Sequence, residues 1–331
     1  MMRLGVATGA LRVHTDTQEG FRLRRHRPLD VWGMLDKVKA WGADGAMLSV
    51  NELVSTDPKI LRDVRAQADA SGLYLEVGVR FAQLENLRPW IEAAAILGSP
   101  VLRIVIAPFG NGQRWRFQGE PREYLATAAA KLCPLGRVAA DRGVRIVVEN
   151  HMDFILDEYR YLFDQLDPQH FGVCLDTANP LGTVEHPDRV CRALAPLVAS
   201  SHIKDYLPVW TPTGYRLLTC PIGDGAIDNA GIIEALASHH PDLSLNLELP
   251  VFSVREIPIF SKDLWAAYGQ RRVEDVMEVI ELVTKAQERR PTDCENGLEK
   301  GWSEDLLLEA EEHCVRRSIL RARELFAPWL N

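Results

Sequence analysis

The sequence predicts an α/β protein built as a (β/α)8 TIM barrel, with long loops at one end and a helical extension at the C-terminus. Three observations carry this. Eight short apolar runs recur with helical stretches between them. The runs are continuous rather than alternating, as expected of parallel strands covered by helices. Connections from helix to strand are short, and several from strand to helix are long, which gives the barrel a polarity.

The eight runs span residues 4–8, 45–50, 73–79, 101–107, 144–149, 171–176, 199–204 and 243–249. The stretches 29–41, 60–70, 89–97 and 123–141 space Leu, Ala, Val and Trp at helical intervals. The connections 41–44, 70–72, 97–100 and 141–143 each hold a glycine where a left-handed helix C-cap is wanted. The connections 9–28, 108–121, 206–230 and 250–270 are long, and in a barrel such loops build the pocket. Within one of them, residues 206–210 and 215–220 flank Thr211-Pro212-Thr213-Gly214 and predict a β-hairpin above the barrel. Two helices are expected near 273–287 and 303–326, joined by a linker at 289–301 that contains Pro291 and Gly297. Ser303 is the expected N-cap of the last helix, with Glu304 and Asp305 in its first turn. Residues 1–288 are thus expected to form the barrel, including the hairpin 206–220 and the loop 250–270. Residues 289–331 are expected to form a C-terminal helical extension packed on it. A doubly wound open sheet is the alternative, but the GxGxxG phosphate loop it would need is absent.

The totals fit one large unit. Of 331 residues, 47% are hydrophobic, enough for a sizeable core. The formal net charge of −8 argues against a nucleic-acid partner, whose phosphates demand a basic surface. The six cysteines, Cys133, Cys174, Cys191, Cys220, Cys294 and Cys314, form no CxxC pair, so reduced thiols are expected. The N-terminal residues lack the apolar core of a signal peptide, and the most apolar stretch, 91–109, is broken by Gly98, Pro100 and Arg103. A cytoplasmic protein without a membrane span is expected.

Four strand ends carry polar groups in apolar company: Glu149 on the fifth strand, Asp176 on the sixth, His202 on the seventh and Glu248 on the eighth. An ionised carboxylate at the end of a buried strand costs several kcal/mol unless compensated. Three carboxylates and an imidazole on adjacent strands would repel one another without a cation, and a divalent metal resolves that cost. The intervals are 27 residues from Glu149 to Asp176 and 26 from Asp176 to His202. The gap of 46 to Glu248 is wider because the hairpin intervenes.

These residues stand in Val147–His151 (VVENH), Cys174–Asn179 (CLDTAN), His202–Asp205 (HIKD) and Leu247–Pro250 (LELP), with Gly223–Asp228 (GDGAID) between the last two. In that order they resemble the xylose isomerase-like TIM-barrel superfamily, the sugar phosphate isomerase/epimerase family. The resemblance covers about residues 1–250 and the following helix. It implies that Glu149, Asp176, His202 and Glu248 bind one Mn2+, Mg2+, Co2+ or Zn2+, and that the two glutamates flank the substrate and move protons. It implies no single substrate, because the family holds epimerases, isomerases, dehydratases, decarboxylases, C-glycoside deglycosidases and endonuclease IV. It also implies a homo-oligomer.

The residue chemistry leads the same way. An oxygen-rich site with one nitrogen favours a hard or borderline ion such as Mn2+. Such an ion polarises a carbonyl and its neighbouring hydroxyl and acidifies the carbon between them. Glu149 or Glu248 could then remove that proton, and its partner could return one. The leading expectation is a divalent-metal-dependent isomerase or epimerase of a small polyhydroxy carbonyl substrate, a keto-sugar or sugar acid. The second is a lyase on the same scaffold: an oxo-sugar-acid decarboxylase, a dehydratase, or the catalytic subunit of a C-glycoside deglycosidase with a small partner subunit. The long segment 250–270 and the two-helix tail exceed what a minimal epimerase needs. An endonuclease IV-like nuclease fits poorly, since Asn179 stands where a further histidine ligand belongs. A non-catalytic binding protein would be expected to lose a ligand, and all four are kept.

Other residues carry two readings each. His151, two residues beyond Glu149, is a substrate binder or extra base, or a plain loop histidine. Lys204 holds a substrate oxygen or neutralises a carboxylate. Arg103, among Leu, Ile and Val, is expected to pair with Glu76 or to bind substrate. Asp224 reads as a turn residue. Arg22, Arg24, Arg25, His26 and Arg27 form an anion clamp, a solvated face or a subunit contact. Trp115, Phe117, Trp210, Phe260 and Trp265 stack on a sugar or pack the loops.

Overall fold

Eight parallel strands close into a ring. In chain order the elements are β1 (Arg3–Ala7), α1 (Val31–Ala40), β2 (Gly45–Ser49), α2 (Pro58–Ser71), β3 (Tyr74–Val79), α3 (Arg88–Ile96), β4 (Val101–Ile104), α4 (Pro121–Ala140), β5 (Arg145–Glu149), α5 (Leu156–Phe163), β6 (Phe171–Asp176), α6 (Pro187–Leu194), β7 (Val198–Ile203), β8 (Tyr206–Thr211), β9 (Gly214–Thr219), α7 (Asn229–His239), β10 (Ser244–Leu247), β11 (Arg255–Ile257), α8 (Lys262–Tyr268), α9 (Val273–Gln287) and α10 (Glu304–Leu325). The ring runs β1, β2, β3, β4, β5, β6, β7, β10 and back to β1. It is a (β/α)8 TIM barrel. The computed structural model describes residues 1–50, 54–79, 84–107, 114–117, 119–288 and 295–330. Cys294, Phe109, Pro291 and parts of the connections 108–121 and 289–301 lie outside the described residues.

Local chemistry sets the element ends. Asp57 caps α2 by accepting the Lys59 N–H, Pro58 opens the helix, and Gly72 closes it at φ 67°. That left-handed turn suits glycine and starts β3 two residues later. Asp30 and Ser303 cap α1 and α10 in the same way.

The strands bury two different faces. Outward residues such as Leu48, Val77, Ile104, Val148 and Leu175 join the large apolar shell under the helices. Ala7, Met47, Val101, Val147 and Cys174 form a separate small cluster inside the barrel. The rest of the lumen is polar. Tyr74 donates to Asn246 Oδ1 at 2.9 Å, and Glu76 accepts from Ser200 Oγ at 2.5 Å and Asn246 Nδ2 at 3.0 Å. Glycines at Gly5 and Gly45 leave room for the Tyr74 ring. Burial pushes the Glu76 carboxyl pKa up, against hydrogen bonds that include Ser200 and Asn246. Between β6 and β7 the register shifts, Val173 facing Val198 but Cys174 facing Ser200. The extra residue, Ala199, is a bulge that phases Ser200 and His202 into the lumen.

Above the barrel, β8 and β9 form an antiparallel hairpin, and β11 from the 250–270 segment adds a third strand. Helix α10 lies against β1 and β10, with Val315, Ile319, Ala322 and Phe326 in the shell. Its Glu311, fully buried, accepts the backbone N–H groups of Val13 and His14 at 2.8 and 3.0 Å and contacts His14 Nδ1 at 2.7 Å. One carboxylate thus organises the loop that follows β1. The basic run also docks here: Arg25 and His26 meet Asp305 at 2.8 and 2.6 Å, and their backbone N–H groups reach Glu304. Asp224 pairs with Arg317 of the same helix at 3.0 Å. Among the described residues no helix is long and apolar enough to cross a membrane, and the five described cysteines are free thiols.

Glu311→Ala strips a partner from two buried N–H groups, each costly to leave unmet. It is expected to cost about 3 kcal/mol in a urea unfolding titration. Wild-type stability in this variant would show that the 8–17 loop is held by other contacts.

Candidate metal centre

The four strand-end residues converge. Glu149 and Asp176 are the last residues of β5 and β6, His202 is the fifth residue of β7, and Glu248 follows β10 directly. All four are buried, and one ligand atom from each lies within 4.8 Å of the others. Opposite ligands about 2.1 Å from one ion stand about 4.2 Å apart, so small side-chain rotations would close the set.

Each side chain is aimed by neighbours. Asp176 Oδ1 accepts the N–H groups of Ala178 and Asn179, both at 2.9 Å, which turns Oδ2 into the lumen. These two bonds occupy only one of the two carboxylate oxygens. Asn150 brackets the Asp176 backbone, accepting its N–H at 2.6 Å and donating to its carbonyl at 2.9 Å. Glu149 Oε1 accepts from Asn179 Nδ2 at 3.1 Å. Glu248 packs against the chain at Gly9, where any β-carbon would collide with its carboxylate. His202 Nε2 faces the Met47 sulfur at 3.1 Å. Its Nδ1 stands 3.5 Å from Oε2 of both Glu149 and Glu248. Neither approach has hydrogen-bond direction, so Nδ1 is a buried nitrogen without a hydrogen-bond partner. Asp176 Oδ2 likewise accepts no directed hydrogen bond, although it lies 2.7 Å from Lys204 Nζ. A buried imidazole nitrogen and a buried carboxylate oxygen, both aimed at the same space, fit the donor set of a divalent ion. This buried cluster could hold one metal ion.

The charge balance differs from the sequence argument. Two side-chain cations already stand among the carboxylates. Arg103 Nε donates to Glu149 Oε2 at 2.5 Å, and its Nη2 also meets that oxygen. The expected partner Glu76 is taken up instead by Ser200 and Asn246. Lys204 Nζ bridges Asp176 Oδ2 and Glu248 Oε2 at 2.7 and 2.8 Å, so it neutralises carboxylates. Burial alone would raise Glu149 and Glu248. The Arg103 guanidinium and His202 hold Glu149 below the ordinary carboxylate range, and Lys204, His202, Arg103 and Arg12 do the same for Glu248. Asp176 is shifted up: burial and the two neighbouring glutamates outweigh Lys204. His202 is raised because Glu248 and Glu149 overcome its burial.

A chamber of about 40 Å3 opens beside these groups, lined by Gly9, Arg12, Ser49, Arg103, Val105, Glu149, His151, Asn179, Lys204, Tyr206, Glu248, Pro250 and Arg255. It contains all three residues expected to touch substrate: His151, Lys204 and Arg103. His151 Nδ1 contacts the buried Asp153 Oδ2 at 2.5 Å. A larger cavity of about 770 Å3 lies elsewhere, between α6, the 223–226 turn and α9, and holds none of the four cluster residues. The buried charges of the cluster lie at the small chamber.

Sequence reasoning missed Arg12, Asn179 as a Glu149 partner, and Arg255. Arg12 sits in the loop after β1, where the denser run at 22–27 drew attention. Asp205 was also missed. It follows Lys204, and its carboxylate accepts the N–H groups of Gly223, Gly225 and Ile227 at 2.9, 3.1 and 3.1 Å. It ties the HIKD and GDGAID segments together. Burial pushes its pKa up to about 7 against those three donors. Of the aromatics, Trp115 lines a neighbouring cavity, while Trp210 and Phe260 stack on each other at 6.1 Å over the hairpin.

A sequence profile of the xylose isomerase-like TIM barrel family matches residues 35–276. The chain is 21% identical over 249 residues to a 3-oxo-isoapionate decarboxylase of Pectobacterium atrosepticum, covering 73% of this chain and 86% of that protein. It is 28% identical over 110 residues to the uncharacterized protein YihM of Escherichia coli, a match spanning 33% of this chain and 34% of YihM. A D-psicose 3-epimerase solved in the presence of D-fructose superposes with a TM-score of 0.62 at 13% identity, over 98% of this chain and 99% of that one. The Escherichia coli 3-keto-D-glucoside 4-epimerase YcjR superposes with a TM-score of 0.53 at 15% identity, over 87% and 100%. At such identities the structural likeness establishes the fold, and the profile match establishes the lineage: this chain belongs to the xylose isomerase-like TIM barrel family.

Proposed function

We propose that this protein is a divalent-metal-dependent enzyme that moves a proton at the carbon next to a carbonyl of a small polyhydroxy substrate. Isomerisation or epimerisation is the leading outcome. The observation that carries the reading is the convergence of Glu149, Asp176, His202 and Glu248 on one buried point beside a chamber. Similarity to several sugar epimerases in fold supports it.

Glu149, Asp176, His202 and Glu248 would hold the ion, with His202 using Nδ1. Mn2+ suits three oxygen donors and one nitrogen. The ion would supply Lewis-acid polarisation of the substrate carbonyl and its adjacent hydroxyl. Arg103 and Lys204 keep the two glutamates ionised, so each is competent as a base at neutral pH. One glutamate would take the proton from one face of the carbon, and the partner glutamate, in its protonated form, would deliver one to the opposite face; the two exchange roles in the reverse direction. His151, in contact with Asp153, lines the same chamber and would bind a substrate hydroxyl or act as an extra base. A lyase outcome is the second reading. It is favoured by the relative whose name is 3-oxo-isoapionate decarboxylase, which aligns over most of both chains. Loss of carbon dioxide from a 3-oxo acid leaves electrons on the same carbon that proton abstraction would, so one site geometry serves either start.

Metal content decides the reading first. The purified protein is expected to take up about one Mn2+ per chain. At a free concentration about 100 times Kd this adds about 2.7 kcal/mol of stability. Asp176→Ala should lose both the ion and the stability increment; an unchanged increment would remove the cluster from consideration.

Uptake should also depend on pH. A ligating imidazole must be unprotonated. The metal-free pKa of His202 lies above its unfolded value, so its contribution to metal-free stability is full below the unfolded pKa and is lost as pH rises through the folded one. Metal binding works against that proton. The melting-temperature gain from Mn2+ should therefore grow from about pH 6 to about pH 8. Calorimetry in two buffers of different ionisation enthalpy should register proton release, and a buffer-independent heat would contradict it.

Glu248→Gln keeps a ligating oxygen but removes the base. Turnover is expected to fall by about 100-fold or more while metal content holds. Full turnover in this variant would assign proton transfer to other groups.

A further inference from the structure

The chamber beside the metal cluster is too small for a whole substrate. Its space of about 40 Å3 holds an ion and water but not a sugar ring. A second cavity, of about 490 Å3, adjoins it. Arg255 lines both, and Ser253 of the outer wall accepts from Arg12 Nη1 of the inner one at 3.2 Å. The outer volume lies in the range of about 300–1,000 Å3 usual for small-molecule sites. Proton transfer uses only the inner space, so the outer one is open to a part of the substrate that does not react.

The outer walls are of two kinds. Trp115, Phe252, Ile257 and Leu298 form an apolar side. Trp115 is half-buried and firmly placed, because its neighbour Arg114 is buried and pinned. Arg114 donates to both Glu158 carboxylate oxygens at 2.5 and 2.7 Å, to the Asp153 carbonyl at 2.9 Å and to the Ala267 carbonyl of α8 at 3.0 Å. The other side is polar, with Gln18, Glu19, Glu256 and Glu299 beside Arg255. Arg216 holds Glu256 at 2.9 Å and Glu299 at 2.5 Å, which fixes two of these carboxylates in place. Gln18 is buried and its Nε2 donates to the Glu19 carbonyl at 3.2 Å, while its Oε1 accepts no hydrogen bond among the described residues. Three carboxylates line the cavity to one guanidinium, which disfavours an anion. A neutral polyol suits both sides: its hydroxyls donate to carboxylate and amide oxygens, and its carbon face covers an indole.

Resting on the proton-transfer reading above, we propose that the substrate is a neutral glycoside of two sugar units, whose second, unreactive unit sits in the outer cavity against Trp115. The carbonyl of the first unit faces the metal cluster, and the linkage passes the wall at Arg255. The polar side of the cavity takes the hydroxyls of the second ring, and the apolar side takes its carbon-bound hydrogens. On this assignment Trp115 is a specificity residue. It adds affinity through apolar area removed from water, and the chemistry remains with the glutamates.

The test is calorimetric binding to the Mn2+-loaded protein. The probes are D-fructose, D-fructose 6-phosphate, and the neutral disaccharides turanose, lactulose and isomaltulose, which attach a second sugar at different positions of one fructose unit. At least one disaccharide is expected to bind about tenfold or more tighter than D-fructose, and D-fructose 6-phosphate should gain nothing. Trp115→Ala should remove the disaccharide gain and leave D-fructose affinity unchanged, and Trp115→Phe should restore part of it. The disaccharide should also change the indole emission of the wild type, and most of that change should vanish in Trp115→Phe, which keeps an aromatic ring and reports even if Trp115→Ala does not fold. The proposal is overturned if no disaccharide binds tighter than D-fructose, if the gain survives Trp115→Ala, if the phosphate gains more, or if Trp115→Phe keeps the full emission response. Failure of the proton-transfer reading would look different: Asp176→Ala would keep its Mn2+, or Glu248→Gln its turnover, while the disaccharide gain and its dependence on Trp115 stand.

Discussion

Everything at the top of this barrel depends on how three buried carboxylates tolerate one another. Arg103 and Lys204 are the answer in the protein itself. One holds Glu149 from β4, and the other reaches across from the end of β7 to Asp176 and Glu248. Without them, carboxylates this close and this dry would take up protons and lose both ligand and base character. With them, both glutamates stay ionised, and Asp176 carries the residual strain of burial. A divalent ion at this cluster would share Asp176 and Glu248 with an ammonium group already in place.

That polar lumen is stabilised from outside. The inside of the barrel is filled by Tyr74, Glu76, Ser200, Asn246 and the charged cluster, with a thin apolar patch between. Such a filling contributes little hydrophobic free energy. The continuous shell under the helices supplies it instead, and it allows the lumen to be specialised. Tyr74, Glu76, Ser200 and Asn246 are tied to one another across strands, so this layer also fixes strand register. The bulge at Ala199 belongs to this logic, because it phases His202 onto the same side as Asp176.

The loops and the tail act together. Helix α10 holds the loop after β1 through Glu311, and that loop carries Arg12 and Gly9 into the site. Gly9 leaves space for the Glu248 carboxylate. The 250–270 segment contributes Ser253 and Arg255, then pairs with the hairpin through β11. Asp205 clamps the turn beyond the hairpin from a position beside Lys204. Parts of the chain that look like additions to a barrel thus determine which groups line the chamber beside the cluster.

The barrel and its four converging strand ends were legible in the sequence, because both rest on short-range pattern. Apolar runs of strand length, glycine-closed helix ends and a polar residue at the end of each late strand are all local signals. Parallel strands bring equivalent ends together, so position along a strand was enough to gather Glu149, Asp176, His202 and Glu248. Partner choice was not legible. Arg103 could have met Glu76 or Glu149 from sequence alone, and only the layering of the lumen assigns it to Glu149, with Glu76 engaged by Ser200 and Asn246. The basic run at 22–27 was open to three readings in sequence; in the fold Arg25 and His26 dock on the acidic start of α10, while Arg12 and Arg255, 243 positions apart, line one chamber. Strand pattern is written in neighbours along the chain; the company a charge keeps is set by neighbours in space.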